Sequence, residues 1–166
     1  NDIRVQRSAA RFKPEDFVEQ LLSFSETKAW LIYGRTNTGK TNFALAHFKN
    51  PLLVRHLEDL GALDPNVHDG IVFDDVDFKH LFFTAIKNIL DPDFDSSIQV
   101  RYQLVRIPAG MPRIFTHQHS DIFFPPTMSS MQVEAIERLF KTYEVKKDLR
   151  KIVLAYDSQP ESLDNN

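Results

Sequence analysis

The chemistry in this chain is concentrated first in Gly34-Arg35-Thr36-Asn37-Thr38-Gly39-Lys40-Thr41, two glycines bracketing four residues and followed at once by Lys and Thr. Glycine adopts backbone angles that a Cβ resists, so successive N–H groups can curl around phosphate oxygens. A lysine at the position of Lys40 reaches the β- and γ-phosphates, and a hydroxyl at Thr41 can ligate Mg²⁺. The segment therefore predicts a site for ATP with Mg²⁺, built by Gly34, Asn37, Thr38, Gly39, Lys40 and Thr41.

A phosphate loop alone hydrolyses nothing. It needs an acid at a neighbouring strand end, and Asp74-Asp75 follow the apolar run Ile71-Val72-Phe73. In such an arrangement the first acid, Asp74, holds the metal through water, and the second, Asp75, orients the attacking water. A pair of acids can also cap a following helix, but Asp77 is better placed for that task. A third requirement is a polar side chain near the γ-phosphate. Gln118, with His117 as the alternative, follows the run Arg113-Ile114-Phe115-Thr116.

These groups must be carried by elements in a fixed order. Ala29-Trp30-Leu31-Ile32-Tyr33 reads as a buried strand before the loop, and Thr41 to Lys49 as a helix after it, ended by Pro51. Leu52-Leu53-Val54 reads as a second strand, His56 to Leu63 as weakly helical, and Ile71 to Asp75 as a third strand. Leu81, Phe82, Ala85, Ile86, Ile89 and Leu90 repeat at helical steps, predicting a helix over Phe78–Leu90. Ile98, Val100, Tyr102 and Leu104 alternate with polar residues and predict a strand, before the turn at Pro108 to Pro112. Ser129 with Gln132 forms a capping box for a helix running to about Tyr143, and Ile152 to Tyr156 reads as a last strand. Upstream, Pro14-Glu15-Asp16 starts a short helix with Phe17, Val18, Leu21 and Leu22 on one face. Strands alternating with helices predict an α/β fold with a parallel sheet.

With 166 residues the chain fits one domain with a substantial core. It has no cysteine, which excludes disulfides and thiolate metal sites. No apolar stretch approaches the ~20 residues needed to span a bilayer, so no membrane association is expected. The net charge of −3 means that any nucleic-acid contact must be local.

The three motifs together resemble the superfamily 3 helicase domain, most of all that of replication-initiator (Rep) proteins of geminivirus- and circovirus-like circular single-stranded DNA viruses and related plasmids. Gly34 to Thr41 is similar to the family's Walker A loop, and Val72-Phe73-Asp74-Asp75 to its Walker B strand. The stretch from Ala109 to Gln118 is similar to the family's passage from a pore hairpin into motif C, with Gln118 where the family has Asn. Glu134-Ala135-Ile136-Glu137-Arg138 resembles the helix bearing the arginine finger. The resemblance implies a P-loop NTPase with an AAA+-like parallel sheet flanked by helices, over 28–156. It further implies a homo-oligomeric, hexameric ring, ATP hydrolysis between subunits, unwinding of or translocation on DNA, and single-stranded DNA as a partner. Catalysis would then fall to Lys40, Asp75, Gln118 and Arg138, the last acting across a subunit boundary. The alternative for Arg138 is a surface pair with Glu134.

In this reading Arg101, Tyr102 and Arg106, with Arg113, grip DNA through phosphates and one base face; the alternative is a solvated strand face. Residues 1–27 become an arm and short helix related to an oligomerisation segment, and 157–166 a polar, disordered tail. A covalently linked nickase domain is expected upstream of Asn1. Localisation would be the host nucleus for a eukaryotic virus, otherwise the bacterial cytoplasm. His117-Gln118-His119 and Tyr143 to Lys146 mimic nickase motifs, but both lie inside the ATPase region. Two rival readings are a small P-loop kinase and a nucleotide-gated assembly module without unwinding activity.

Overall fold

Strands covered on both faces need near-continuous apolar sequence, and the runs at 29–33, 52–54 and 71–73 supply it, with Ile114-Phe115 between the buried Arg113 and Thr116. The computed structural model describes residues 12–24 and 27–151. Its strands are β1 (Ala29–Gly34), β2 (Pro51–Val54), β3 (Gly70–Asp74), β4 (Ser96–Val100), β5 (Gln103–Ile107), β6 (Arg113–His117) and β7 (Phe140–Val145). Its helices are α1 (Lys40–Leu45), α2 (Phe83–Leu90) and α3 (Ser130–Glu137). Five strands form one sheet in the order β2-β3-β6-β1-β7, every neighbouring pair parallel, and β4-β5 form a separate antiparallel hairpin.

Alternate side chains of a strand point to opposite faces, and the two halves of the core divide accordingly. Leu31, Ile71, Phe73 and Phe115 face one layer with Ile86, Ile89 and Leu90 of α2, Ile136 of α3 and the inner face of the hairpin. Ile32, Val72 and Ile114 face the other layer, against Phe43, Ala44 and Leu45 of α1, with Phe17 and Leu149. The fold is thus α/β, a five-stranded parallel sheet flanked by helices. Phe73 and Phe115 stack at 4.4 Å between centroids, and Phe123 meets Phe115 edge-on at 5.0 Å. This aromatic packing lies one residue before Asp74 and Thr116, so it fixes the strand ends that carry polar groups.

Four expectations are corrected. The helix from Pro14 is a single 3₁₀ turn, Pro14–Asp16, because Phe17 is extended, buried against α1 and bridged to Arg150. The helix expected from Phe78 begins at Phe83: Phe78 is buried in the aromatic cluster, and Asp77 accepts the Lys79 N–H in an Asx turn rather than capping α2. The strand read through 98–104 is a hairpin turning at Arg101-Tyr102, with Tyr102 at φ 62°. The two-residue turn shifts the inward positions from Ile98 and Val100 to Val105 and Ile107. The helix read to Tyr143 stops at Glu137, and Phe140–Val145 become the edge strand β7. The Ser129–Gln132 capping box is present in both directions. The strand read at 152–156 and the polar tail lie outside the described residues, as does the arm before residue 12.

Candidate functional site

All five sheet strands run the same way, so β1, β3 and β6 deliver their carboxyl ends to one edge, where open α/β sheets form crevices. β6 lies between β1 and β3. The loop after β1, the acids after β3 and the polar residues after β6 therefore converge.

The loop has the backbone that its glycines predict. Gly39 sits at φ 82° immediately before α1, and Asn37 is also left-handed at φ 58°. Gly34 ends β1 beside β7, where a Cβ would stand 2.4 Å from the Val145 carbonyl oxygen. Alternation of left- and right-handed residues turns successive N–H groups inward, the geometry of an anion-binding nest. Lys40 is buried, and its Nζ donates to Gly34 O at 3.0 Å, to Arg35 O, and to Thr38 Oγ1 at 3.4 Å. Burial holds the Lys40 ammonium below its usual range, an effect opposed by the charges of Asp74 and Asp75.

Asp74 is tied to both flanking strands. Its Oδ1 accepts from Thr41 Oγ1 at 2.9 Å and from Thr116 Oγ1 at 3.0 Å, and Arg55 Nε lies 3.4 Å from Oδ2. Thr116 is buried and stands directly across from Asp74 in the β3–β6 register. Asp75, just past the strand, adopts φ 57° and donates its N–H to Thr116 O at 2.9 Å. That turn directs the Asp75 side chain outward, 69% exposed, with Oδ1 3.2 Å from His117 Nε2.

The tautomer of His117 follows from its other nitrogen. Nδ1 accepts the His119 N–H at 3.1 Å, so Nε2 carries the hydrogen and donates to Asp75. Desolvation lowers the His117 pKa most; Asp75 opposes that shift, His119 adds to it, Asp121 opposes it and Lys79 adds to it, with a net lowering. The contact is accordingly a hydrogen bond from a neutral imidazole near pH 7.

Asn37, Thr38, Gly39, Lys40, Thr41, Asp74, Asp75, Thr116, His117, Gln118 and Arg150 line one cavity of about 330 Å³. Every loop and acid residue expected from the sequence is thus gathered here or, for Gly34, directly beneath. His117 and Gln118 both line it; His117 bonds Asp75, while Gln118 is exposed. Thr116, Arg55 and Arg150 were not foreseen. Thr116 has a signal in hindsight, since the strand that ends in His117 must pair with the acid strand to bring the motifs together.

The remaining predicted residues lie elsewhere. Arg138 is the exposed C-cap of α3, two residues before β7, whose first residue pairs with the first residue of β1. It therefore sits at the opposite end of a strand roughly 17 Å long, at about 3.3 Å per residue. No ion pair joins it to Glu134 among the described residues. Arg101 and Tyr102 form the hairpin turn, with the guanidinium 5.5 Å from the ring centroid and Tyr102 93% exposed. Arg106 is exposed opposite Ser97.

Arg113 corrects the expectation that it contacts DNA. It is fully buried, with Nε donating to Met111 O at 3.1 Å and Nη1 to Ile89 O at 3.0 Å. Burial, opposed by Asp91, lowers its pKa to about 10. It ties the turn before β6 to the end of α2.

No protein-family model matches the chain, and no curated protein matches it in sequence. Among the described residues no helix is long and apolar enough to cross a membrane, and no three His, Cys, Asp or Glu side chains converge as a metal-binding cluster. The donor set at Thr41 and Asp74 consists of hard oxygens, the chemistry that suits Mg²⁺ completed by phosphate oxygens and water.

Proposed function

We propose that this chain is a Mg²⁺-dependent ATPase of the P-loop, AAA+-like kind, acting as the helicase domain of a replication-initiator protein. The observation that carries this reading is the 2.9 Å bond from Thr41 of the phosphate loop to Asp74 of the acid strand, residues 33 apart in sequence. A glycine-rich turn of no functional consequence would have no reason to meet a strand-end carboxylate in this way. The sheet order adds support, because the strand ending in His117 and Gln118 lies between the loop strand and the acid strand.

In the proposed mechanism the loop N–H groups and Lys40 Nζ bind phosphate oxygens, Lys40 exchanging its loop carbonyls for them. Thr41 Oγ1 and the Asp74 carboxylate would hold Mg²⁺, which would offset the charge that develops on the phosphates. Thr116 keeps Asp74 Oδ1 in place. Asp75 orients the attacking water and accepts its proton, while His117 Nε2–H fixes the direction of that carboxylate. Gln118 is exposed in the same cavity and serves as the γ-phosphate contact.

Arg138 is too far from its own cavity to act there, so its proposed role is on the nucleotide of a neighbouring copy in a hexameric ring. Arg101 and Tyr102 form an exposed cationic and aromatic tip, with Arg106 exposed further along β5, and these groups suit single-stranded DNA. The nickase domain linked upstream, and a nuclear or bacterial cytoplasmic setting, belong to the same proposal.

The test is steady-state phosphate release from ATP with no acceptor present, with and without single-stranded DNA. Hydrolysis that DNA accelerates and Lys40→Ala abolishes is expected. ATP consumption only when a metabolite acceptor is added would favour a kinase. Nucleotide-dependent assembly with no hydrolysis would favour a gated assembly module. Either result sinks the motor reading.

A further inference from the structure

Beyond β7 the chain returns to the phosphate loop and lies across it. Leu149 N–H donates to Thr38 O at 2.9 Å, while Leu149 O accepts the Val18 N–H at 2.8 Å. Arg150 pairs with Phe17 in an isolated antiparallel bridge. Residues 148–150 are thus a strap between the N-terminal segment and the loop. What the strap delivers is a guanidinium. Arg150 Nη2 donates to Asn37 O at 3.1 Å and to Asn37 Oδ1 at 3.2 Å. Its Nε and Nη2 also bond the two carboxylate oxygens of Asp148, at 3.1 and 3.0 Å.

A clasp alone does not explain this choice of residue. The Leu149 N–H already ties the strap to Thr38, and Asn37 offers only neutral oxygens, which an amide side chain could serve. The Arg150 side chain is only 14% exposed, where a charge is costly to hold except against Asp148, which takes only Nε and Nη2. Its stem passes 2.7 Å from where a Gly39 Cβ would stand, which gives that glycine a second reason besides its φ of 82°. Arg150 also lines the cavity shared by Lys40 and Asp74. None of these bonds uses Nη1, so among the described residues the guanidinium keeps a charged donor edge beyond its fork to Asp148. Planar guanidinium groups match phosphate oxygens well.

We propose that Arg150 is a second phosphate-contacting cation of this cavity, supplied in cis by the 148–150 strap, with Nη1 donating to a phosphate oxygen of the bound triphosphate. Asp148 aims the group by holding Nε and Nη2. Because the strap also holds Phe17 and Val18, triphosphate binding tightens the packing of the N-terminal segment on the loop. The inference rests on the phosphate-loop reading above, and it adds to it a residue outside the three motifs.

The test is titration of the whole chain with Mg²⁺ and ATP by calorimetry, for wild type, Lys40→Ala, Arg150→Gln and Arg150→Lys, beside nucleotide-free melting curves. Loss of one charge-assisted bond predicts that Arg150→Gln weakens ATP binding roughly tenfold or more. Its nucleotide-free melting temperature falls modestly, because Asp148 loses its partner, and Arg150→Lys recovers part of the affinity. Wild-type affinity in Arg150→Gln overturns this inference and leaves the loop reading intact. So does a loss of affinity that Arg150→Lys does not recover at all, which marks a purely structural clasp. No ATP binding by wild type overturns the loop reading itself. Should Arg150→Gln fail to fold, amide exchange in the wild-type peptide covering 148–151 decides: slowing on ATP addition supports the contact, and unchanged exchange overturns it.

Discussion

Thr116→Val is a demanding test of how the acid strand is organised, because it removes one hydroxyl and nearly preserves shape. Thr116 is buried, and its Oγ1 donates to Asp74 Oδ1 at 3.0 Å. The same carboxylate oxygen takes a second bond from Thr41 Oγ1 at 2.9 Å. With Mg²⁺ bound, Thr41 Oγ1 would serve the metal, and Thr116 would be the remaining hydroxyl on that oxygen. A hydrogen bond to a charged group contributes about 1.5–3 kcal/mol, so its loss at the working carboxylate predicts a roughly tenfold to hundredfold fall in activity. The fall should be steepest at low Mg²⁺, because Asp74 then finds its metal-holding geometry less often. Thr116→Ser keeps the oxygen and should retain most of the activity. The fold should survive valine at a cost of about 1.5–3 kcal/mol, since the shape is kept but a buried bond to a carboxylate is lost. The assay is phosphate release at saturating ATP over a Mg²⁺ titration, run beside urea unfolding. Wild-type turnover and an unchanged Mg²⁺ requirement in Thr116→Val would refute the reasoning that Asp74 must be held from β6.

Three further outcomes are expected. His47 Nε2 accepts the Leu22 N–H at 2.9 Å and Nδ1–H donates to Phe43 O at 2.8 Å. Desolvation lowers its pKa from 6.5 despite its bonds to the Phe43 and Ala44 carbonyls. The folded value lies below the unfolded one, so its contribution to stability is complete above about pH 6.5 and is lost as pH falls through the lowered folded value. Melting curves at pH 7 and pH 5 should show wild type losing more on acidification than His47→Phe, and equal losses would count against this assignment. Arg113→Ala strands two buried carbonyls and opens a cavity, so it should cost about 3–5 kcal/mol in urea unfolding. Arg106→Ala should stay within about 0.5 kcal/mol, and similar costs for the two would contradict the buried role of Arg113. Tyr102→Ala should weaken single-stranded DNA binding by about 1–3 kcal/mol in a polarisation assay while leaving ATP affinity unchanged; undiminished DNA binding removes the hairpin tip from the proposal.

The site was legible because its parts are local words in the sequence. Gly34 to Thr41 announces its own backbone, and Asp74-Asp75 stand at the end of a run too apolar to be anything but buried. The parallel sheet was legible for the same reason, from the runs at β1, β3 and β6. What was lost depended on partners distant in sequence. Ile136, Leu139, Phe140 and Tyr143 are spaced as a helix would space them, yet Phe140 to Val145 pair with β1 along their whole length. The hairpin at Arg101-Tyr102 carries no Gly or Asn, the usual mark of a two-residue turn, so its alternation read as one strand. Arg113 looked like one more surface cation, because nothing in its neighbours shows that the carbonyls of Ile89 and Met111 surround it. Arg150 is separated from Asn37 by 113 residues, and only the return of the chain past β7 brings them together.

The whole account depends on a triphosphate lying between the loop and the acid strand, and a crystal structure with Mg²⁺ and a non-hydrolysable ATP analogue tests that directly. The account predicts phosphates wrapped by residues 34–41 with Lys40 Nζ turned onto them, and the metal between Thr41 Oγ1 and the carboxylate of Asp74. A nucleotide bound at another face, or a metal held without Thr41 and Asp74, would contradict it.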